Sequence, residues 1–333
     1  MLAAWLHVWA RPIAGAAQIN YDSFLAGVEA GETQFSDYNL FCNIFNRLFQ
    51  GEILSDIGKD IETYWHIAQK HKNENLLAAL AAAKIFIHKL CRFGDSQANN
   101  DALAELEEII DESEKAETWM SVCFHYILSI HFCCLTADGK AGVQYVKKAG
   151  KILNAVAGFT TSSGYYYYGS LTILNQYPQL SPEDQKEADA QISANQKTLK
   201  AWADSCPEYF LHKYLLVEAE RAHCHNHRAE AIDLYDRAIL AAKENSYCQE
   251  EALANELAAK FYLDWGKEVI AASYLQNAYY GYARWGATVK TNALEQRYGH
   301  LLQPIFQRAS SWFNLSETIA TITGPSNSIV HGI

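Results

Sequence analysis

The chain has 333 residues, of which 50% are hydrophobic and 20% charged, the composition of a folded protein and not of a disordered one. Glycine contributes 18 residues and proline 6, too few for the closely spaced turns of an all-β protein. A net charge of −11 repels a phosphate backbone and argues against nucleic acid as the main partner.

Met1 to Ala10 is apolar, but its first charge, Arg11, comes after the apolar run instead of before it, which is the wrong order for a secretory signal. Residues 1–13 are expected to form a helix packed on the neighbouring helices, or the cut end of a longer repeat array. Tyr38–Gln50 and Glu52–Lys70 read as a helical hairpin turning at Gly51, with Ile57, Ile61, Tyr64 and Ala68 at helical steps. Leu77 to Ile87 continues as a strongly apolar helix, and Glu105 to Glu114 reads as a solvated acidic face. Trp119 to Leu135 is apolar nearly all round and is expected to be buried between neighbours. Asp138-Gly139 turns it into Ala141–Val156.

Ser181-Pro182-Glu183-Asp184 is a strong helix start: a capping hydroxyl, a proline in the first turn, then acids at the positive end of the dipole. Cys206-Pro207-Glu208 repeats the pattern with a weaker cap. Gly51, Gly94, Gly139, Gly266 and Gly286 fall between periodic segments and read as helix ends. About fourteen helices with short connections are expected. No stretch approaches the ~20 consecutive apolar residues of a membrane span. The eight cysteines, none in a CxxC pair, read as small buried hydrophobes of a cytoplasmic protein.

Internal repetition separates a bundle from a solenoid. When 212–251 is laid on 252–291, Ala219 falls on Ala259, Ala231 on Ala271 and Ala238 on Ala278. Asn226 falls on Gly266 and Tyr235 on Leu275. Small residues where helices cross, a turn residue between them and a large residue filling the gap make up the tetratricopeptide spacing, here with longer helices than the usual ~34-residue unit. The expected architecture is an all-α, right-handed superhelix (an α-solenoid) of tetratricopeptide-like hairpins over 1–307. A Ser/Thr-rich linker or tail occupies 308–333.

The strings at 194–220, 230–268 and 272–298, with FLAGVEAGETQFSDYNLF at 24–41, resemble one helical-repeat region of very large bacterial signalling proteins common in cyanobacteria. The resemblance covers roughly 5–302 and is strongest at 244–298. In those proteins this region lies between an N-terminal serine/threonine kinase with a STAND-type ATPase and C-terminal GAF and histidine kinase domains. It carries no catalytic residues to transfer. This chain has no HRD, no DFG (Phe93-Gly94-Asp95 has another order) and no G-x4-GK[ST]. Its Gly-Lys pairs at 58, 139, 150 and 266 are each followed by a residue other than the hydroxyl that a phosphate loop uses to hold magnesium.

The resemblance implies a non-catalytic interaction and signal-relay segment that needs no cofactor. Its partners would be a protein or peptide, or neighbouring kinase, ATPase or sensor domains, with no nucleic acid and no membrane insertion. In tetratricopeptide stacks the first helix of each hairpin lines the groove. Here that maps onto Lys213, Glu220, His223, Glu256, Lys260 and Asp264, mixed in sign as suits a peptide.

Other readings compete. A small-ligand sensor would have its pocket between the apolar helices around Trp119–Tyr168. The four tyrosines Tyr165–Tyr168 are too widely splayed on a helix to form one stacking platform, and are expected to pack on both flanks. His223-Cys224-His225-Asn226-His227 offers imidazoles to a metal, but it falls at an exposed turn. Cys123, His131 and Cys134 share one helix face and read as buried structural residues. Glu250 and Glu251 open a helix where the dipole favours acids. With Glu256 they lack a sequence-placed partner for acid–base work.

Overall fold

The computed structural model describes residues 9, 13, 15–91 and 97–303. The proposed tail at 308–333, Phe93-Gly94-Asp95, and residues 1–13 apart from Trp9 and Ile13 lie outside the described residues. Among those described there is no strand, and fourteen helices succeed one another. They are α1 Ala16–Glu29, α2 Thr33–Gln50, α3 Leu54–His71, α4 Glu74–Cys91, α5 Gln97–Lys115, α6 Trp119–Thr136 and α7 Gly139–Ile152. Then come α8 Ser162–Gln176, α9 Pro182–Ser205, α10 Pro207–Cys224, α11 Arg228–Glu244, α12 Cys248–Asp264, α13 Glu268–Trp285 and α14 at 288–303.

Local chemistry explains the boundaries. Ser181 Oγ accepts from the backbone N–H of Asp184 at 3.2 Å, with Pro182 in the first turn of α9. The helix ends are rhythmic. Left-handed residues stand at Gly31, Gly51 and Lys72, at Glu117 and Ala137, and at Asn226, Ser246, Gly266 and Gly286. Within each group they recur every 20 or 21 positions, and each lets the chain reverse after a helix of about five turns. Gly139 departs from the expected pattern. It lies inside the first turn of α7, because the Asp138 carboxylate caps the Ala141 N–H at 3.2 Å and Ala137 takes the left-handed conformation.

The helices pack in two layers. Even-numbered helices contact one another in succession from α2 to α12, and each odd-numbered helix packs outside, between its even-numbered neighbours. The hairpins α10–α11 and α12–α13 run in matching register 40 positions apart, and both pack tightly. Ala219, Ala231, Ala238, Ala259, Ala271 and Ala278 are all buried, as are Tyr235 and Leu275. The inner helices also meet across the fold. Gln249 donates to the Phe49 carbonyl at 3.0 Å, and Thr288 donates to the Cys91 carbonyl at 2.5 Å. Trp9 donates to the Gly158 carbonyl at 2.9 Å and stacks on Phe210.

The α12–α13 crossing depends on a missing side chain. A Cβ on Gly281 would stand 2.7 Å from the Ala252 Cβ, and alanine has no flexible end to move aside. Alanine at this site gains about 1 kcal/mol of helix propensity, but overpacking costs about 1–3 kcal/mol. Gly281→Ala is therefore expected to lower the melting temperature by a few degrees, read by circular dichroism, whereas the same change at a solvent-facing helical glycine raises it.

By length and composition α6 alone among the described helices meets the test for a membrane span, with 18 residues of mean hydropathy 1.4. Its apolar surface has a local cause. It packs against α4, α5, α7 and α8, and Phe124, Ile127 and Ile130 are fully buried among them.

Candidate docking groove

Of the six residues assigned to an open groove, the structure buries half. Lys213 has no exposed surface, Glu256 is 3% exposed and Glu220 is 9% exposed. The inner face that they occupy is covered by α6 and α8 of the same chain. His223, Lys260 and Asp264 reach solvent. His223 Nε2 lies 3.5 Å from Asp264, whose side chain is 71% exposed.

Lys213 sits in a closed cluster. Its ammonium lies 2.5 Å from Glu250 Oε2 and 4.5, 5.0 and 5.5 Å from the ring centres of Tyr209, Tyr247 and Tyr167. His212 Nε2 and the Tyr168 hydroxyl also donate to Glu250. Burial would raise the Glu250 pKa, but the Lys213 charge and His212 outweigh it and hold it down at about 2. Burial pulls the Lys213 ammonium below the ordinary lysine value, with Glu250 opposing. A histidine partner thus stands beside Glu250 after all. Lys213, His212, Glu250, Tyr168, Tyr209 and Tyr247 are each at most 2% exposed, so the pair is closed off from solvent.

Glu256 anchors a second network at the rim. Lys260 lies 2.9 Å and Lys290 2.7 Å from its carboxylate, and the Tyr282 hydroxyl donates to it at 2.7 Å. Burial raises the Glu256 pKa, but the two lysines override this and leave it well below the ordinary carboxylate value. Lys290 also donates to the Leu135 carbonyl in the last turn of α6, where a cation complements the negative end of the helix dipole. Over this network opens a cavity of about 270 Å3 between the end of α6, α12 and α14. A second cleft of about 520 Å3 adjoins it and shares Ala137, Lys260, Arg297 and Tyr298. Asp264, Glu268 and His300 line its outer part. Of the six residues, Glu256, Lys260 and Asp264 line these two cavities, together with Lys290, Arg297 and Tyr298, which sequence reasoning missed.

Glu220 is held by the Tyr235 hydroxyl, and burial raises its pKa. The three histidines of the α10–α11 turn diverge. His223 faces Asp264, His225 lies 3.5 Å from Asp189, and His227 lies 3.5 Å from Glu230. No group of three or more His, Cys, Asp or Glu side chains among the described residues is arranged to hold a metal. Cys123 and His131 are buried, and the His131 ring stacks on Tyr168 with centres 3.6 Å apart. The space at Tyr165–Tyr168 is occupied. Tyr167 and Tyr168 are fully buried against Lys213 and His131, while Tyr166 meets Trp202 edge-on.

No protein-family model matches the chain. Over 61 residues it is 41% identical to the hybrid signal transduction histidine kinase G of Dictyostelium discoideum. That stretch is 18% of this chain and 2% of that protein, so the chain spans a very small part of the curated relative it matches. The short likeness to a signalling kinase and the all-helical fold fit a helical region of a signalling protein.

Proposed function

We propose that this chain is a non-catalytic protein-interaction and signal-relay segment of a larger cytoplasmic signalling protein of the kinase or ATPase type. On this reading the two layers form a right-handed superhelix of tetratricopeptide-like hairpins. Its partner is a peptide segment or a neighbouring domain that lies in the groove between α12 and α14. The observation that carries the reading is the groove itself, whose solvent-facing charges are of both signs. Lys260 and Arg297 line it together with Asp264 and Glu268. Such a surface suits a polypeptide better than a polyanion.

The relay runs through the network beneath. An occupant pairing with Lys260 competes with Glu256 for it, and Glu256 shares its carboxylate with Lys290, which holds the end of α6. Occupancy of the groove is thereby coupled to the central helix of the fold.

Panning a phage-displayed peptide library on the purified chain tests the groove. Enriched peptides are expected to lose at least tenfold in affinity on Arg297→Glu or Asp264→Lys, both changes at solvent-facing side chains. Failure to enrich any peptide, or enrichment of peptides indifferent to both changes, overturns the reading.

A further inference from the structure

A separate cleft of about 180 Å3 lies on another face of α6, between α4, α6 and α7. Its floor is apolar, made by Ile85, Phe86 and Leu128, each at most 3% exposed. An apolar cavity of about 150 Å3 accommodates benzene, so this floor has room for one ring or a short branched chain.

The polar groups around it are unevenly committed. Asp138, at one lip, is engaged in capping α7. Hydrogen-bond donors line it as well. Ser129 Oγ lies 3.4 Å from His125 Nε2, and Lys89 pairs with Glu107 at 3.0 Å. The side chains of Lys89 and Glu107 are 32% and 50% exposed, so exchanging Glu107 for another carboxylate costs little. Burial first, then the positive charges of Lys89 and Lys148, hold the His125 pKa down at about 4. The ring is therefore neutral at pH 7 and lies within the positive field of Lys89 and Lys148.

We propose that this cleft binds a small monocarboxylic acid with a compact apolar body, its carboxylate meeting Lys89 and Ser129 and its body resting on Ile85, Phe86 and Leu128. Binding draws Lys89 away from Glu107 and so loosens α5 from α4. This gives the fold an input distinct from the α12–α14 groove, and the inference does not depend on the reading of that groove.

Calorimetric titration of the purified chain with benzoate as the probe, and with benzyl alcohol as its uncharged counterpart, tests the proposal. Benzoate is expected to bind at least tenfold tighter than benzyl alcohol and to lose at least tenfold on Lys89→Ala. Ala141→Trp, at a half-buried position on the cleft's mouth, is expected to abolish binding while leaving the circular dichroism spectrum unchanged. Equal affinity for the two probes, or no binding of benzoate, overturns the proposal. So does benzoate binding that survives Ala141→Trp, which would place the site elsewhere.

Discussion

Glu250→Ala is expected to cost about 3–5 kcal/mol of folding stability, among the largest single-residue effects in this protein. The cause is what the substitution leaves behind. Lys213 and Glu250 are 0% and 1% exposed, and three tyrosine rings surround the ammonium. The rings attract a cation, but they do not replace a carboxylate that accepts from Lys213, His212 and the Tyr168 hydroxyl together. Without it the chain must either bury an unpaired charge or deprotonate the lysine. Urea denaturation should show a lower midpoint with an unchanged slope. Adding Lys213→Met to Glu250→Ala should recover most of the loss, since an apolar replacement for a buried pair is often neutral or better. Glu256→Ala should likewise cost about 3–5 kcal/mol, because Lys260 keeps 24% of its side chain in water and can find solvent, but Lys290, 4% exposed, loses its carboxylate. A loss under about 1 kcal/mol for Glu250→Ala is the value typical of a solvated pair and would contradict this burial.

The same residues show what the sequence reveals and what it hides. Helix ends and the 40-residue register are legible because they are local. Turn chemistry, capping and alanine spacing act within a single hairpin. The interior of the inner layer is not, because it is built from contacts between residues far apart in the chain. Gln249 reaches Phe49, and Lys290 reaches Leu135. Periodicity shows that a helix has an inner face, but not that another helix of the same chain already covers it. One signal is nevertheless present. In the 40-step comparison Lys213 falls on Leu253 and Glu256 on Leu216, and the same step taken backward from Glu250 reaches Phe210. A charge opposite an apolar residue at equivalent positions marks a core site where the charge must be paired. The groove pattern applied without that check sends Lys213 and Glu256 to solvent, and leaves Glu250 to a helix dipole. Arg297 and Tyr298 lie beyond the two units compared, 212–251 and 252–291, so that comparison does not reach them.

Mild acid is expected to destabilise the fold well above the pH at which carboxylates protonate. His125, His131 and His212 are buried, and desolvation is the leading cause that lowers their pKa values, to about 4, 3 and 4 against an ordinary 6.5. Between pH 6.5 and those values the unfolded chain binds protons that the folded chain refuses, so stability falls as pH falls. At pH 5 each group lies about 1.5 pH units inside this window, worth on the order of 2 kcal/mol apiece. Glu220 opposes them. Burial raises its pKa, so the folded state takes up its proton first and gains as the medium acidifies. One carboxyl does not balance three imidazoles. Below pH 4.5 Glu250 adds to the loss, since its folded value of about 2 lies beneath the ordinary one of 4.5. Unfolding free energies from denaturant titrations at pH 7.5 and 5.0 should therefore differ by several kcal/mol. His131→Phe should remove roughly a third of the difference, because the ring sits stacked on Tyr168 with Nε2 unpartnered, and phenylalanine keeps its shape without the titration. A stability that stays level over this range would mean that these imidazoles are solvated, and that α6 and α10 do not form the closed interior on which both predictions rest.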